Sequence, residues 1–223
     1  LLFLKIFDDR EKEFEAFEKD YSSPIPKELK WRAWAAPQDG KTGPTLIEFV
    51  EKELFPTLRS LEISENSDPR HAVVKKVVSE TRNYMQEGVL LRQVINRLNG
   101  LDLTKAIDRH AMNDIYEKFL QELQDAGSAG EYYTPRPITS FIVDMIAPRL
   151  GETVLDPACG TGGFLIHALE IIKNEAKNKE DIEKYQGAIQ GWESKRLAHI
   201  LAVTNMLLHG VDAPVGLIRK DSL

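Results

Sequence analysis

The stretch that most constrains the fold is residues 154–164, VLDPACGTGGF. A short apolar run ends at Asp156, and Gly160, Gly162 and Gly163 follow within one loop. Glycine adopts backbone angles that side chains forbid, and it lets another molecule lie directly against the main chain. A tight turn needs only one glycine, so three glycines after an acid favour a buried strand, a ligand-binding loop and then a helix. A strand-to-helix turn without a ligand is the simpler alternative.

The pattern after residue 130 alternates between strand and helix. Thr134 is predicted to N-cap a helix that has Pro135 at its first position and continues through ITSFIVDMI. Strand, helix, strand, helix, strand is typical of the start of an α/β doubly wound, Rossmann-like parallel sheet. We predict strands at 153–156, 187–193 and 215–218, helices at 162–177 and 194–210, and a charged loop at 173–186.

The first part of the chain carries helical patterns instead. In its clearest segment, 103–124, apolar residues recur every four positions. The small residues of DAGSAG, 125–130, indicate a flexible boundary, so we predict an all-α N-terminal domain at 1–127 and the start of the α/β domain at 128–223. The other helices are predicted near 1–20, 44–60, 68–86 and 88–98, and the buried stripe of 103–124 comprises Ile107, Ala111, Ile115, Phe119 and Leu123.

Composition limits the kinds of function. The net charge of −6 argues against a protein that grips nucleic acid without a partner, although it allows a local basic patch. The five histidines show no metal-ligand spacing, so no metal site is predicted. The single cysteine, Cys159, is interpreted as a packing residue and fits a reducing, cytoplasmic setting. No apolar run is long enough to span a membrane, no signal peptide is visible, and both ends resemble cuts through a longer chain.

The spacing of the glycine loop narrows the choice of ligand. A phosphate-binding P-loop needs a lysine that is absent here, and the dinucleotide pattern G-x-G-x-x-G fails because Leu165 stands at its third glycine position. The acid at the start of the loop, Asp156, suits a ligand with an ammonium group. A second acid at the end of the next strand, Glu193, suits ribose hydroxyls. An amino acid joined to a ribose describes S-adenosylmethionine.

Two motifs carry a family resemblance. GEYYTPRPI, residues 130–138, stands shortly before DPACGTGGF, residues 156–164. Together they resemble the methyltransferase (modification, or M) subunit of bacterial type I restriction–modification systems, which belongs to the N6-adenine DNA methyltransferases. LLFLKIFDD at 1–9 and the helical first part resemble the N-terminal helical domain of that family. The resemblance implies a class I S-adenosylmethionine-dependent methyltransferase domain.

The resemblance also implies a cofactor-binding site. The segment 131–136 would close over the methionine end of the cofactor, and Asp156 with the loop backbone would hold its amino-acid part. Glu193 would bind the ribose, Trp192 would lie near the adenine, and Asp221 would meet the adenine edge. The full implied set is Glu131, Tyr132, Tyr133, Thr134, Pro135, Arg136, Asp156, Ala158, Cys159, Gly160, Thr161, Gly162, Gly163, Phe164, Trp192, Glu193 and Asp221.

A reaction and a set of partners follow from the same resemblance. The full-length protein would transfer a methyl group from S-adenosylmethionine to N6 of an adenine that is flipped out of the DNA stack. The family's catalytic Asn-Pro-Pro-Phe/Tyr tetrapeptide is absent from the sequence, so no catalytic residue is predicted here and the chain alone is expected to be inactive. The implied partners are DNA, a DNA-specificity subunit, a second M subunit and a restriction subunit, with no membrane.

Other interpretations of the sequence remain open. The chain could belong to an S-adenosylmethionine enzyme that acts on protein, RNA or a small molecule, because the loop is shared widely. It could be a non-catalytic scaffold that keeps the cofactor fold for assembly. An NAD-dependent oxidoreductase is the weakest alternative, because the glycine spacing is wrong. Tyr132, Tyr133 and Trp192 are each also compatible with ordinary core packing.

Overall fold

The structure, a computed structural model, describes residues 1–37, 40–104, 112, 114–116, 118, 120, 122 and 134–222. The chain divides into two compact units, Leu1–Ala111 and Met112–Leu223. The predicted domain boundary between residues 127 and 128 falls in the stretch 123–133, which lies outside the described residues. That boundary therefore stays a prediction.

Within the described residues of the first unit, all the regular secondary structure is helical. Four of its predicted helices, near 1–20, 44–60, 68–86 and 88–98, are confirmed, and the third ends six residues early, at Glu80. The C-terminal end of this helix is stabilised by Arg59, which donates hydrogen bonds to the carbonyls of Val78 and Thr81. The last carbonyls of a helix have no partner within it, so these bonds satisfy them. The elements are α1 (Leu2–Phe17), a 3-10 turn (Lys27–Leu29), α2 (Trp31–Trp34), α3 (Gly43–Glu48), a π-helical segment (Phe49–Leu54), α4 (Phe55–Arg59), α5 (Pro69–Glu80) and α6 (Gly88–Asn99).

Helix α1 buries acids as well as apolar side chains. Phe3, Ile6 and Phe7 pack in the core, and Asp8 and Glu11 are buried on the same helix. Buried carboxylates are tolerated when they are paired. The pairing cation is supplied by α2, where Arg32 lies 2.9 Å from Asp8 Oδ1 and 3.0 Å from Glu11 Oε2. This ion pair joins α1 to α2.

The second unit contains a small parallel sheet with helices between its strands, as the sequence predicts. The strand order is β1-β2-β3, with Asp156 opposite Gly191 and Glu193 opposite Arg219. Helix α8 packs on both β1 and β2. The elements are α7 (Arg136–Ile146), β1 (Val154–Asp156), α8 (Gly163–Glu175), α9 (Lys179–Ala188), β2 (Ile189–Glu193), α10 (Arg196–Leu208) and β3 (Leu217–Arg219).

The loop predicted at 173–186 is wrong, because most of it is helical. Asn178 N-caps α9 by accepting a hydrogen bond from the Asp181 amide at 3.0 Å. Acids in the first turn suit the helix dipole, and Lys184 pairs with Glu180 one turn earlier. Tyr185 then buries its ring on the inner face of the helix. The charges therefore form the solvated face of an amphipathic helix.

Two further local predictions are wrong. Helix α7 begins at Arg136, so Pro135 occupies the N-cap position that was assigned to Thr134. In the predicted helix 103–124, Ile115 is 53% exposed, whereas Met112, Tyr116 and Leu120 are buried at the same four-residue spacing. The Tyr116 hydroxyl donates to the Leu201 carbonyl at 2.8 Å, so this ring has a polar partner inside the core. The other members of the predicted stripe lie outside the described residues.

Candidate ligand-binding site

Acidic side chains gather where the three strands end. Asp156 and Glu193 close β1 and β2, and Asp221 follows β3 by two residues. Carboxyl ends of parallel strands meet at one edge of a sheet, which is where ligands bind in open α/β sheets. The register places Asp156 opposite Gly191, so Asp156 and Glu193 lie on the same face. The structure thus brings the two principal predicted acids together.

Two hydrogen bonds tie the glycine loop to the neighbouring strand, and a third closes the loop on itself. The Cys159 amide donates to the Trp192 carbonyl at 2.9 Å, and the Gly160 amide donates to Glu193 Oε2 at 2.9 Å. The Gly162 amide closes the turn onto the Cys159 carbonyl at 2.8 Å. Glu193 Oε1 accepts from the Lys195 amide as well. A carboxylate that was predicted to contact only a ligand therefore also shapes the loop.

Backbone conformation explains why this loop needs glycine. Gly160 has φ +55° and Gly162 has φ +86°, in the left-handed region that side chains disfavour. A Cβ at Gly162 would meet Met206 Cε at 3.5 Å, an ordinary contact, so the angle rather than the space makes the demand. At Gly191 on β2 a Cβ would lie 2.7 Å from Leu165 Cδ1 and 2.9 Å from Cys159 Sγ, so both side chains would have to shift to admit it. The missing side chain there lets the loop sit close to the sheet.

The electrostatic environment of Asp156 favours a cationic ligand. Its Oδ1 accepts a hydrogen bond from the Ala158 amide at 3.0 Å. Burial raises the pKa of Asp156, and the negative charge of Glu193 raises it further. A positive group placed between the two carboxylates would relieve both effects. The two carboxylates at this edge therefore suit an ammonium or sulfonium ion.

Cys159 is buried in the loop and its thiol is kept protonated. Burial raises the pKa of the Cys159 thiol to about 12, with contributions from the charges of Asp156 and Glu193. We expect iodoacetamide at about pH 8 to leave this thiol unmodified in the native protein and to alkylate it in urea, as measured by mass spectrometry. The raised pKa adds stability below pH 9.0 that is lost as the pH rises toward about 12. Equal alkylation rates in the native protein and in urea would contradict the burial of the Cys159 thiol.

The two sequence motifs meet through one side chain. Arg136, the last residue of YYTPR, donates from Nη1 to the Gly163 carbonyl at 3.0 Å. Helix α7, which begins at Arg136, packs against α8, which begins at Gly163. Thr134 and Pro135 precede α7, and Phe164 is half-buried in the first turn of α8. Glu131, Tyr132 and Tyr133 lie outside the described residues.

Sequence analysis missed two residues at this edge. Lys220 lies with its Nζ 3.4 Å from the centre of the Trp192 ring, a cation–π contact between the ends of β3 and β2. Asn205 on α10 donates from Nδ2 to the Thr161 carbonyl at 3.1 Å. A signal for Asn205 was present, because it is a polar residue within the strongly apolar run LAHILAVTNMLL.

The described part of the chain offers neither a metal-ion cluster nor a membrane-spanning helix. Within those residues, His, Cys, Asp and Glu form no group of three or more that could hold a metal ion. None of the described helices combines the length and the apolar character that crossing a membrane requires. Neither result changes the assignment of the acidic edge as the candidate site.

Fold and geometry together define a class, an α/β domain whose glycine loop and acids lie at the carboxyl edge of a parallel sheet. The model of the N-6 DNA Methylase family matches residues 107–223, which is more than half of the 223-residue chain. The chain therefore belongs to the N-6 DNA methylase family.

Similar proteins agree with this assignment. The chain is 52% identical over its whole length to the type I restriction enzyme EcoEI methylase subunit of Escherichia coli, of which it covers 45%. One similar solved structure is the modification subunit of a putative type I restriction enzyme from Vibrio vulnificus YJ016. The match covers 99% of this chain and 49% of that subunit's chain, with 38% identity and a TM-score of 0.84. A chain of a type I R-M system solved to explain complex assembly and conformational transition matches 99% of this chain and 44% of its own, with 35% identity and a TM-score of 0.80. The chain thus spans about half the length of these relatives.

Proposed function

We propose that this chain is part of the modification subunit of a type I restriction–modification system, which transfers a methyl group from S-adenosylmethionine to N6 of adenine in DNA. The observation that carries the proposal is the junction of two motifs at the acidic edge, where Arg136 bonds the Gly163 carbonyl. The identity of 52% to a methylase subunit over the whole chain supports it.

The finer fold that we propose is a Rossmann-like doubly wound sheet. Parallel sheets are normally covered on both faces. Here Ile189 and Leu217 are buried on one face, whereas Leu155 and Ile218 on the other are 45% and 43% exposed. The pairing of Leu155 with Gln190 and of Ile218 with Trp192 places these residues on a common face. Helices from the remainder of a longer protein would cover this face.

The residues at the edge fit S-adenosylmethionine. Asp156 suits the amino group of its methionine part, and the glycine loop with its left-handed residues Gly160 and Gly162 follows directly after that acid. Both oxygens of Glu193 already accept one amide each. A carboxylate offers about four lone-pair sites, so Glu193 can still accept from ribose hydroxyls. Trp192 and Asp221 are proposed to face the adenine.

The proposed methyl transfer needs cofactor-binding residues of this chain and catalytic residues that this chain lacks. When bound, the cofactor supplies an electrophilic methyl group on a sulfonium. The residues of this chain bind and orient that cofactor, which contributes to catalysis through alignment. Base flipping and contacts to the target amine need DNA and the residues of the Asn-Pro-Pro-aromatic motif. We propose DNA, a DNA-specificity subunit, a second M subunit and a restriction subunit as partners, in the cytoplasm.

Ligand titration tests the proposed cofactor most simply. The intact protein, meaning the full-length modification subunit that this chain is proposed to be part of, is titrated by calorimetry with S-adenosylmethionine and, separately, with NAD. The proposal expects saturable binding of S-adenosylmethionine only. Binding of NAD alone would favour the oxidoreductase alternative, and binding of neither would leave the scaffold alternative in place of an enzyme.

The 223-residue chain by itself is expected to transfer no methyl group, because it lacks the Asn-Pro-Pro-aromatic motif. The measurement is the incorporation of isotope-labelled methyl into DNA by this chain, with the intact protein and its specificity subunit as the positive control. Incorporation by the chain above the no-enzyme background would contradict the assignment of catalysis to residues outside it.

A further inference from the structure

Asn205 is a fully buried amide in the last turn of the apolar helix α10. Its Nδ2 donates to the Thr161 carbonyl, and its buried Oδ1 has no hydrogen-bond partner among the residues that the structure describes. A buried acceptor without a partner destabilises a protein. A leucine of similar size would remove that unpaired oxygen, but it would also take away the donor to the Thr161 carbonyl. The bond to the loop is therefore what the asparagine provides at this position.

The orientation of this amide follows from its partner. The Thr161 carbonyl can only accept a hydrogen bond, so the NH₂ group and not the oxygen of Asn205 must face it. The flipped amide would set two acceptors against each other and would leave the Thr161 carbonyl unpaired. The contact therefore fixes the orientation of the Asn205 amide and gives the Thr161 carbonyl its hydrogen-bond donor.

Arg136 supplies a second bond of the same kind. It donates to the Gly163 carbonyl, and Asn205 donates to the Thr161 carbonyl, so the two bonds flank Gly162 with its φ of +86°. A peptide unit is planar and trans, so fixing a carbonyl also fixes the direction of the following amide. The amide that follows Gly163 belongs to the first turn of α8, whose N–H groups have no partner within the helix. Such amides bind carboxylates.

We propose that Asn205 is a positioning residue that, together with Arg136, holds the glycine loop in its cofactor-binding geometry. The inference rests on the proposed function, because the loop is taken to bind S-adenosylmethionine. Asn205 acts through the Thr161 carbonyl and does not itself contact the cofactor. Leucine at this position exchanges one unpaired oxygen, Asn205 Oδ1, for another, the Thr161 carbonyl, so cofactor affinity should fall by more than stability does.

The first test compares two substitutions on α10 in the intact protein. Asn205→Leu removes the bond to the loop together with the unpaired oxygen. Thr204→Val removes a buried bond within α10, from Thr204 Oγ1 to the Ile200 carbonyl, and leaves the loop bonds intact. By calorimetry we expect S-adenosylmethionine to bind about tenfold more weakly to Asn205→Leu and unchanged to Thr204→Val. The thermal unfolding midpoint of Asn205→Leu should stay at or above that of Thr204→Val.

A second readout needs no cofactor. Hydrogen exchange of the amides at 160–164 should be several-fold faster in Asn205→Leu than in the wild type, and unchanged in Thr204→Val. Unchanged affinity and unchanged exchange in Asn205→Leu would overturn the inference. If the wild type binds no S-adenosylmethionine but Asn205→Leu accelerates exchange, the proposed function fails while the positioning role stands.

A pH-dependent variant covers the case in which Asn205→Leu does not fold. A buried aspartate keeps its proton to higher pH, and its protonated form can donate to the Thr161 carbonyl. Asn205→Asp should therefore protect the amides at 160–164 at acidic pH and lose that protection as the pH rises, relative to the wild type at each pH. Protection equal to that of the wild type across the whole range would contradict the positioning role.

Discussion

Arg32→Met is expected to destabilise the protein by about 3 kcal/mol at neutral pH, the low end for breaking a buried ion pair because Arg32 is one-third exposed. The variant leaves Asp8, whose side chain is 1% exposed, without the cation 2.9 Å from its Oδ1. Glu11 keeps Lys30 at 2.9 Å, so Asp8 bears most of the loss. Urea denaturation monitored by circular dichroism measures the free energy of unfolding.

The pH dependence of this loss identifies its cause. Burial raises the pKa of Asp8 above its ordinary value of 3.8 even with Arg32 present. A raised folded-state pKa means that protonation favours the native state, so the cost of Arg32→Met should shrink as the pH falls through the pKa of Asp8. Lys52→Met, which removes an exposed pair with Glu48, is the control and should change nothing measurable. An Arg32→Met loss that is independent of pH would point to lost packing instead.

Glu193→Ala in the intact protein is expected to weaken S-adenosylmethionine binding by about 1.5–3 kcal/mol, the worth of charge-assisted hydrogen bonds. This corresponds to roughly tenfold to a hundredfold in Kd by calorimetry. The structure adds a second contribution, because the variant also frees the Gly160 amide that Glu193 holds at 2.9 Å. Glu193→Gln keeps an acceptor for that amide, so it should lose less affinity than Glu193→Ala.

The control for Glu193 lies at the opposite end of a strand. Glu152 precedes β1 and accepts a hydrogen bond from the Arg149 amide at 2.8 Å, far along the strand from the carboxyl edge. Glu152→Ala changes the net charge by the same amount and should leave cofactor affinity unaltered. Affinity unchanged in Glu193→Ala would refute the ribose assignment.

The sequence predicted the three strands of the second unit and its helices α7, α8 and α10, because each of those signals was local. Apolar runs that end at Asp156 and Glu193 predicted two neighbouring parallel strands, and the glycines between them predicted the loop. Family resemblance added Arg136 to the site, and the structure places it against Gly163. These features depend on spacing along the chain, which a sequence displays directly.

What the sequence could not supply depends on contacts between distant segments. The bond from Asn205 to Thr161 joins residues on different elements, and the Lys220 contact with Trp192 needs the register of β2 and β3. Helix α9 was missed because its charge pattern resembles a solvated loop, and its inner face is shown by the burial of Tyr185 and Ala188. Apolar residues at four-residue spacing predict that one face of a helix is buried, but two adjacent faces can both show that spacing. The exposed Ile115 beside the buried Tyr116 shows that the other of the two faces the core.

The central claim is methyl transfer to adenine in DNA, and one labelling experiment tests it directly. The intact protein and its DNA-specificity subunit are incubated with DNA and S-adenosylmethionine carrying an isotope-labelled methyl group, and the DNA is then digested to nucleosides. Mass spectrometry should find the label in N6-methyladenine. Label in a methylated cytosine, or no label in DNA from a protein that binds the cofactor, would contradict the account.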